Sequence, residues 1–290
     1  MTGRFLIVTA DDFGLHEAVN DAVRQATLGG ILTAASLMVA APATEAAVRL
    51  ALTLPKLRVG LHLVLVDGAA VLPRRLIPAL VDSSGRFLSS MLFNSICFVA
   101  SRRVRAQLAA EIRAQFEAFA RTGLALDHVN AHKHFHLHPT ILEMVLRIGS
   151  EFGNIAVRVP QEPLWFAKRS GAAASTALLL PWLALMRRRL SAGGMICNDQ
   201  VFGVACSGRL DSETLLAILA RLPPGVTEIY LHPATPAPGP ITPSMSTYRH
   251  SDELEALLNP AVQEAVATTR AVCGGYRDLQ THAALLQVRR

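Results

Sequence analysis

Thr9-Ala10-Asp11-Asp12-Phe13-Gly14 is the stretch that decides how this chain is read. The apolar run from Phe5 to Val8 before it has the character of a buried strand. Two adjacent carboxylates follow, and Gly14 gives the backbone room to turn. Neighbouring anions at the mouth of a core repel each other and lose solvation, so they need compensation. A divalent cation would supply it. Further donors stand in Gly60-Leu61-His62-Leu63 and in the segment that carries His128, His132, His134, His136 and His138.

Outward from this stretch, short β-like runs alternate with helical patterns. The runs are Phe5–Thr9, Ala34–Val39, Val59–Leu65, Asp127–Asn130, Ile155–Val159 and Glu228–Leu231. Helices are predicted over Glu17–Leu28, Thr44–Leu54, Val104–Arg121, Pro139–Phe152, Ser212–Leu222 and Asp252–Leu258. Leu15, Val19, Ala22, Val23 and Ala26 form one apolar stripe at helical spacing. Pro139 suits a first helical turn, Gly153 the stop of the same helix, and Asp211 and Ser251 suit N-caps. Such alternation argues for a parallel sheet of βα units, and 290 residues without a linker or repeat argue for one domain over 1–290. In a parallel barrel the chemistry gathers at the carboxyl ends of strands. Asp11, Asp12, His62, His132 and His232 all stand at or near such ends.

The formal charge is +6. That balance suits anionic partners. No basic–aromatic interleaving accompanies it, so nucleic acid is excluded as a partner. Charged residues make up only 17% of the chain, and the mean hydropathy is +0.34. Two apolar segments with basic edges stand out, near residues 91–105 and 172–189. The second falls short of the ~20 residues that span a bilayer and contains Pro181. Either could be buried, pair with another copy in a homodimer, or lie peripherally in a membrane interface. Cys97, Cys197, Cys206 and Cys273 make no disulfide pattern and fit reduced, mostly buried thiols. The N-terminus does not read as a signal peptide, so a cytoplasmic setting is expected.

One carboxylate and two imidazoles make a first shell for a divalent ion with open positions. If Asp12 is a ligand, Asp11 is left beside the ion as a base for its water. His232, arriving from a separate strand, is the candidate acid for a leaving nitrogen. Not every histidine in the cluster can bind one ion. His134 and His136 are assigned to the pocket as substrate contacts or ligand orienters, His128 to the core and His138 to the helix start. Arg158 is a candidate substrate contact, against the alternative of an ion pair with Glu162 or another acid. The patch at Asn198-Asp199 has no assigned role.

These motifs, with Leu231-His232-Pro233, resemble the YdjC-like carbohydrate deacetylases, which include chitooligosaccharide deacetylases. The resemblance implies a distorted (β/α) TIM-like barrel and removal of an N-acetyl group from an amino sugar. It implies a metal at Asp12, His62 and His132, with Asp11 as base. Mg2+ follows from the family and Zn2+ would suit the ligands. The family often has Asp-Ser where this chain has Asn130-Ala131. The stretches Val157–Pro163 and Asn198–Gly203 resemble the hopanoid-biosynthesis-associated HpnK branch, which implies a lipid-linked N-acetylglucosaminyl substrate. A soluble chitooligosaccharide substrate, a metal-dependent phosphoesterase and a non-catalytic sugar or lipid binder are the competing readings. The spare base, Asp11, argues against the last.

Overall fold

Ten consecutive residues form the central strand β1 (Arg4–Phe13), and all but Arg4 are buried. This is the pattern of a strand covered on both faces, as parallel sheets require. A computed structural model describes residues 3–153 and 155–282. After β1 the chain runs through α1 (Glu17–Gly29), β2 (Ala34–Leu37), α2 (Thr44–Leu52), β3 (Arg58–Leu63), α3 (Met91–Ala100), α4 (Arg102–Arg121) and β4 (Leu126–Ala131). It continues through α5 (Pro139–Gly149), α6 (Leu164–Arg169), α7 (Ala173–Ala192), β5 (Gln200–Phe202), α8 (Ser212–Leu219) and β6 (Gly225–Leu231). The last elements are α9 (His250–Leu258), α10 (Pro260–Thr269), β7 (Val272–Cys273) and α11 (Asp278–Thr281).

The strands pair in parallel in the order β4-β3-β2-β1-β6-β5, with β7 beside the start of β1. Extended chain fills the gap between β4 and β5. Val129 bridges Val157, Ala156 bridges Ile196, and the Val201 N–H donates to the Gln161 carbonyl. The sheet therefore curls back on itself as a distorted (β/α) barrel. Val8, Leu61, Leu63, Val129 and Ile229 are fully or almost fully buried within it.

Ile155–Val159, predicted as a strand, makes only single bridges. The Asn198 side chain explains this. It accepts from the Val159 N–H and donates to the Val159 carbonyl, both at 2.8 Å, in place of a neighbouring strand. The first strand runs past its predicted end at Thr9. A register shift against β2 between Ala10 and Phe13, with Asp12 at φ 61°, carries the strand through both carboxylates. Asp211 caps α8 by accepting from Thr214 N–H. Ser251 is not a cap, because α9 begins one residue earlier at His250. The helix from Pro139 ends at Gly149 and closes as a 3-10 turn to Phe152, with Gly153 after it.

Both apolar segments are helices, α3 and α7. Pro181 sits inside α7 rather than breaking it. The four cysteines are free; Cys97, Cys197 and Cys206 are half-buried and Cys273 is exposed, where mostly buried thiols were expected.

Candidate metal centre and active site

The two aspartates enter different bonding networks. Asp12, turned by its left-handed backbone, places Oδ1 3.2 Å from His62 Nε2 and 3.0 Å from His132 Nδ1. One ligand atom from each of the three lies within 4.8 Å of the others, and all three residues are buried. His62 comes from β3, and His132 begins the turn after β4. Lys133 and His134 follow with φ of 53° each, a conformation non-glycine residues seldom adopt. That double turn sends His132 and His134 into the same cleft.

Asn130 decides which nitrogen of His62 faces Asp12. Its amide nitrogen donates to Asp11 Oδ1 at 3.0 Å and to Ser36 Oγ at 2.9 Å. Its oxygen therefore accepts at 2.6 Å from His62 Nδ1, which carries the hydrogen. A neutral His62 then turns the lone pair of Nε2 toward a carboxylate. His62 Nε2 and Asp12 Oδ2 are both buried without a hydrogen-bond partner. Burial works against charge on His62, but Asp11 and Asp12 outweigh it and raise its pKa. The group lacks positive charge at the point its donors face. A divalent cation fits there by donor type, by orientation and by the unpartnered atoms.

Asp11 is bound elsewhere. Arg158 NH1 meets its Oδ2 at 2.6 Å, and NH2 meets its Oδ1 at 3.0 Å. Burial alone would favour the neutral acid, but the guanidinium holds the carboxyl well below the usual range. Arg158 also bonds Glu228 through Nε at 3.0 Å and NH2 at 2.8 Å. Its guanidinium lies 4.5 Å from the centre of the Tyr230 ring. Arg158 has no exposed surface. It is thus engaged by Asp11 and Glu228, not by Glu162 and not at the cleft wall, which corrects its expected place at the substrate. Glu162 instead accepts from the N–H groups of Gly203, Val204 and Ala205.

The cleft is lined by Asp11, His62, His132, His134, Tyr230 and His232, together with Ser207, Met245 and Tyr248. His232 Nε2 lies 3.9 Å from Asp12 Oδ2. Burial lowers its pKa to about 4, so it is neutral at pH 7. His134 shares a 2.9 Å hydrogen bond with the Tyr230 hydroxyl. His136 is fully buried, and its Nε2 bonds the Arg158 carbonyl at 2.9 Å. It lies behind the cleft wall, so its place is structural rather than at the substrate.

The residues from 5 to 268 match the family model of the YdjC-like proteins. The chain belongs to the YdjC-like family. It is similar to the carbohydrate deacetylase of Brevibacillus brevis, 40% identical over 53% of this chain and 59% of that one. The carbohydrate deacetylase of Geobacillus stearothermophilus is 35% identical over 57% and 62% of the two chains. The chain thus spans about three fifths of the length of these two relatives. A chitooligosaccharide deacetylase of Klebsiella pneumoniae is 30% identical over 95% of this chain and 99% of its own. Among solved structures, an Enterococcus faecalis V583 protein described as a cellobiose-phosphate cleavage protein superposes with a TM-score of 0.76. It is 24% identical and covers 96% of this chain and 99% of that one, which supports the fold.

Sequence reading missed four members of this YdjC-like site. Asn130 was visible only as part of the histidine motif. Glu228 and Tyr230 alternate on β6 with inward spacing, which is the signal that could have found them. Glu253 gave no signal. From α9 it accepts the backbone N–H of His232 and, at 2.9 Å, that of Leu210.

Proposed function

We propose that the chain hydrolyses the N-acetyl amide of an amino sugar, releasing acetate and a free amine. The observation that carries this is the division of labour in the pair: Asp12 faces His62 and His132, while Asp11 stands beside that group within its own network. The names of the Brevibacillus and Klebsiella relatives support the same reading.

Asp12, His62 and His132 would hold the ion, Mg2+ by family resemblance or Zn2+ by ligand type. When bound, such an ion polarises the amide carbonyl and makes water more acidic. Asp11 receives the proton of the attacking water. Arg158 and Asn130 fill three of its roughly four acceptor sites, leaving one on Oδ2. Held so far below the ordinary range, Asp11 is a weak base and suits only a proton that has already been made acidic. As the C–N bond breaks, the nitrogen needs a proton, and His232 is the group assigned to give it. His232 rests neutral, so it first takes up the proton that Asp11 received from the water and then gives it to the nitrogen, and its protonated form is a strong acid because burial opposes the charge. His134, at the cleft wall, is assigned to a sugar hydroxyl.

The proposed substrate is the N-acetylglucosaminyl headgroup of a hopanoid lipid. The likeness of Val157–Pro163 and Asn198–Gly203 to the hopanoid-associated branch supports it. A soluble chitooligosaccharide is the second reading, favoured by the end-to-end match to the Klebsiella relative. Acetate release is the test, with purified protein, Mg2+ and Zn2+ in turn, and both substrates. Release from the glycolipid supports the first reading, and release confined to the soluble sugars replaces it by the second. No acetate from either, with turnover of phosphate esters, would overturn deacetylation.

A further inference from the structure

Helix α7 is two different helices joined at Pro181. Its buried residues, Leu183, Met186 and Leu190, all lie after the proline. Before it, Ala177-Leu178-Leu179-Leu180-Pro181 is apolar at every position, and none of the five is buried. Leu178 is 82% exposed. Five consecutive helical residues cover more than a full turn, so this is not one greasy stripe but an apolar turn open on every side. A helix that is apolar all round is normally buried in something, and an exposed run of this length in a soluble chain has a function or is a fault.

A second apolar surface lies nearby on α3, where Ile96 and Val99 are 59% and 60% exposed. Both helices pack on one segment. The Phe98 ring sits 5.5 Å from that of Phe135 and 5.8 Å from that of His138, while Trp182 Nε1 donates to the Leu137 carbonyl at 2.9 Å. The same segment begins with His132 and His134 at the cleft.

Along the two stretches that carry these helices the sequence has charges of one sign, although Asp199 lies 3.6 Å from Arg187. From Pro163 to Asn198 the chain has Lys168, Arg169, Arg187, Arg188 and Arg189 and no acid. From Ser83 to Ala110 it has Arg86, Arg102, Arg103 and Arg105 and no acid. Lys168, Arg169, Arg102 and Arg103 are exposed. No helix among the described residues is long and apolar enough to cross a membrane.

We propose that the apolar turn of α7 before Pro181 and the exposed side chains of α3 seat in the surface of an anionic lipid bilayer, with the basic residues at the headgroups. An exposed apolar turn flanked in the chain by exposed cations is complementary to an acyl layer beneath anionic headgroups. A second copy of this chain would bring the same cations against each other, so the bilayer is the occupant the charges favour. This surface stands independently of the substrate reading, because the test reads binding and not turnover.

The test is flotation of the full chain with vesicles of phosphatidylcholine alone and of phosphatidylcholine mixed with phosphatidylglycerol. Binding should need the anionic lipid and weaken with added salt. The double variant Leu178→Glu/Leu179→Glu should bind roughly ten-fold or more weakly, since it removes two apolar side chains and adds like charge to the lipid. Its circular dichroism and melting temperature should match the parent, because both side chains are exposed. Absence of flotation by the parent, or equal flotation by parent and double variant, overturns the proposal. So does a concentration-dependent dimer in light scattering that the same variant abolishes.

Discussion

Asn130 Oδ1 lies 2.6 Å from His62 Nδ1, and that single bond sets the direction in which His62 offers its other nitrogen. The rest of the Asn130 amide is fixed by Asp11 and Ser36, so the oxygen has no freedom to exchange places with the nitrogen. Replacing Asn130 by Ala should therefore lower divalent-ion affinity by about 10- to 100-fold while leaving all three ligands in place. Isothermal titration of metal-free protein with Mg2+ and Zn2+ measures this. Unchanged affinity would show that the ligands orient themselves.

Asp11→Asn and Asp12→Asn should fail in different ways. The first should lower kcat by about 100- to 10,000-fold and keep ion binding. The second should lose the ion itself. Thermal melts with and without Mg2+ or Zn2+ separate them, because an ion that binds only the folded chain raises its melting temperature. The rise should persist in Asp11→Asn and vanish in Asp12→Asn.

Arg158→Met should be among the most damaging substitutions. It leaves Asp11 and Glu228 buried without their counter-charge. Breaking a buried pair from one side costs about 3–5 kcal/mol. Urea unfolding of the variant should show a loss of that size, beside which exposed pairs such as Arg113–Glu151 contribute little.

Glu253 predicts a pH dependence. Burial raises its pKa from an ordinary 4.5 to about 8, against the pull of the Leu210 and His232 N–H groups. The folded chain then holds a proton between those values that the unfolded chain has released. Its contribution is full below 4.5 and is lost as pH rises toward 8. Unfolding free energy of the parent minus that of Glu253→Gln should fall across this window. His136 and His232, whose pKa values are lowered to about 4, act in the opposite sense and below 6.5, and they cancel in the difference.

What could be read in the sequence follows from what local pattern encodes. The strand-then-carboxylate stretch at Asp11-Asp12 and the spacing of His132 are local, and the structure brings Asp12, His62 and His132 together. The fate of Arg158 depends on two acids 147 and 70 residues away, and no periodicity carries that. The run predicted as a strand at Ile155–Val159 makes only single bridges, since the Asn198 amide takes the Val159 N–H and carbonyl in place of a ladder. Pro181 fits inside α7 because its missing N–H removes one bond of the helix without ending it.

One chain of polar groups ties the two ends of the barrel together. Asp127 bonds His128, His128 bonds Ser36, and Ser36 bonds Asn130 beside the ligands. At its far end Asp127 accepts the N–H groups of Tyr276 and Arg277, and the Tyr276 hydroxyl donates to Glu228 at 2.7 Å. Two buried acids thus wait for residue 276 before their bonding is complete. On the ribosome, a nascent chain would already display every ligand and both aspartates while its barrel floor was still unclosed. The three donors thus leave the ribosome well before the residues that brace their support.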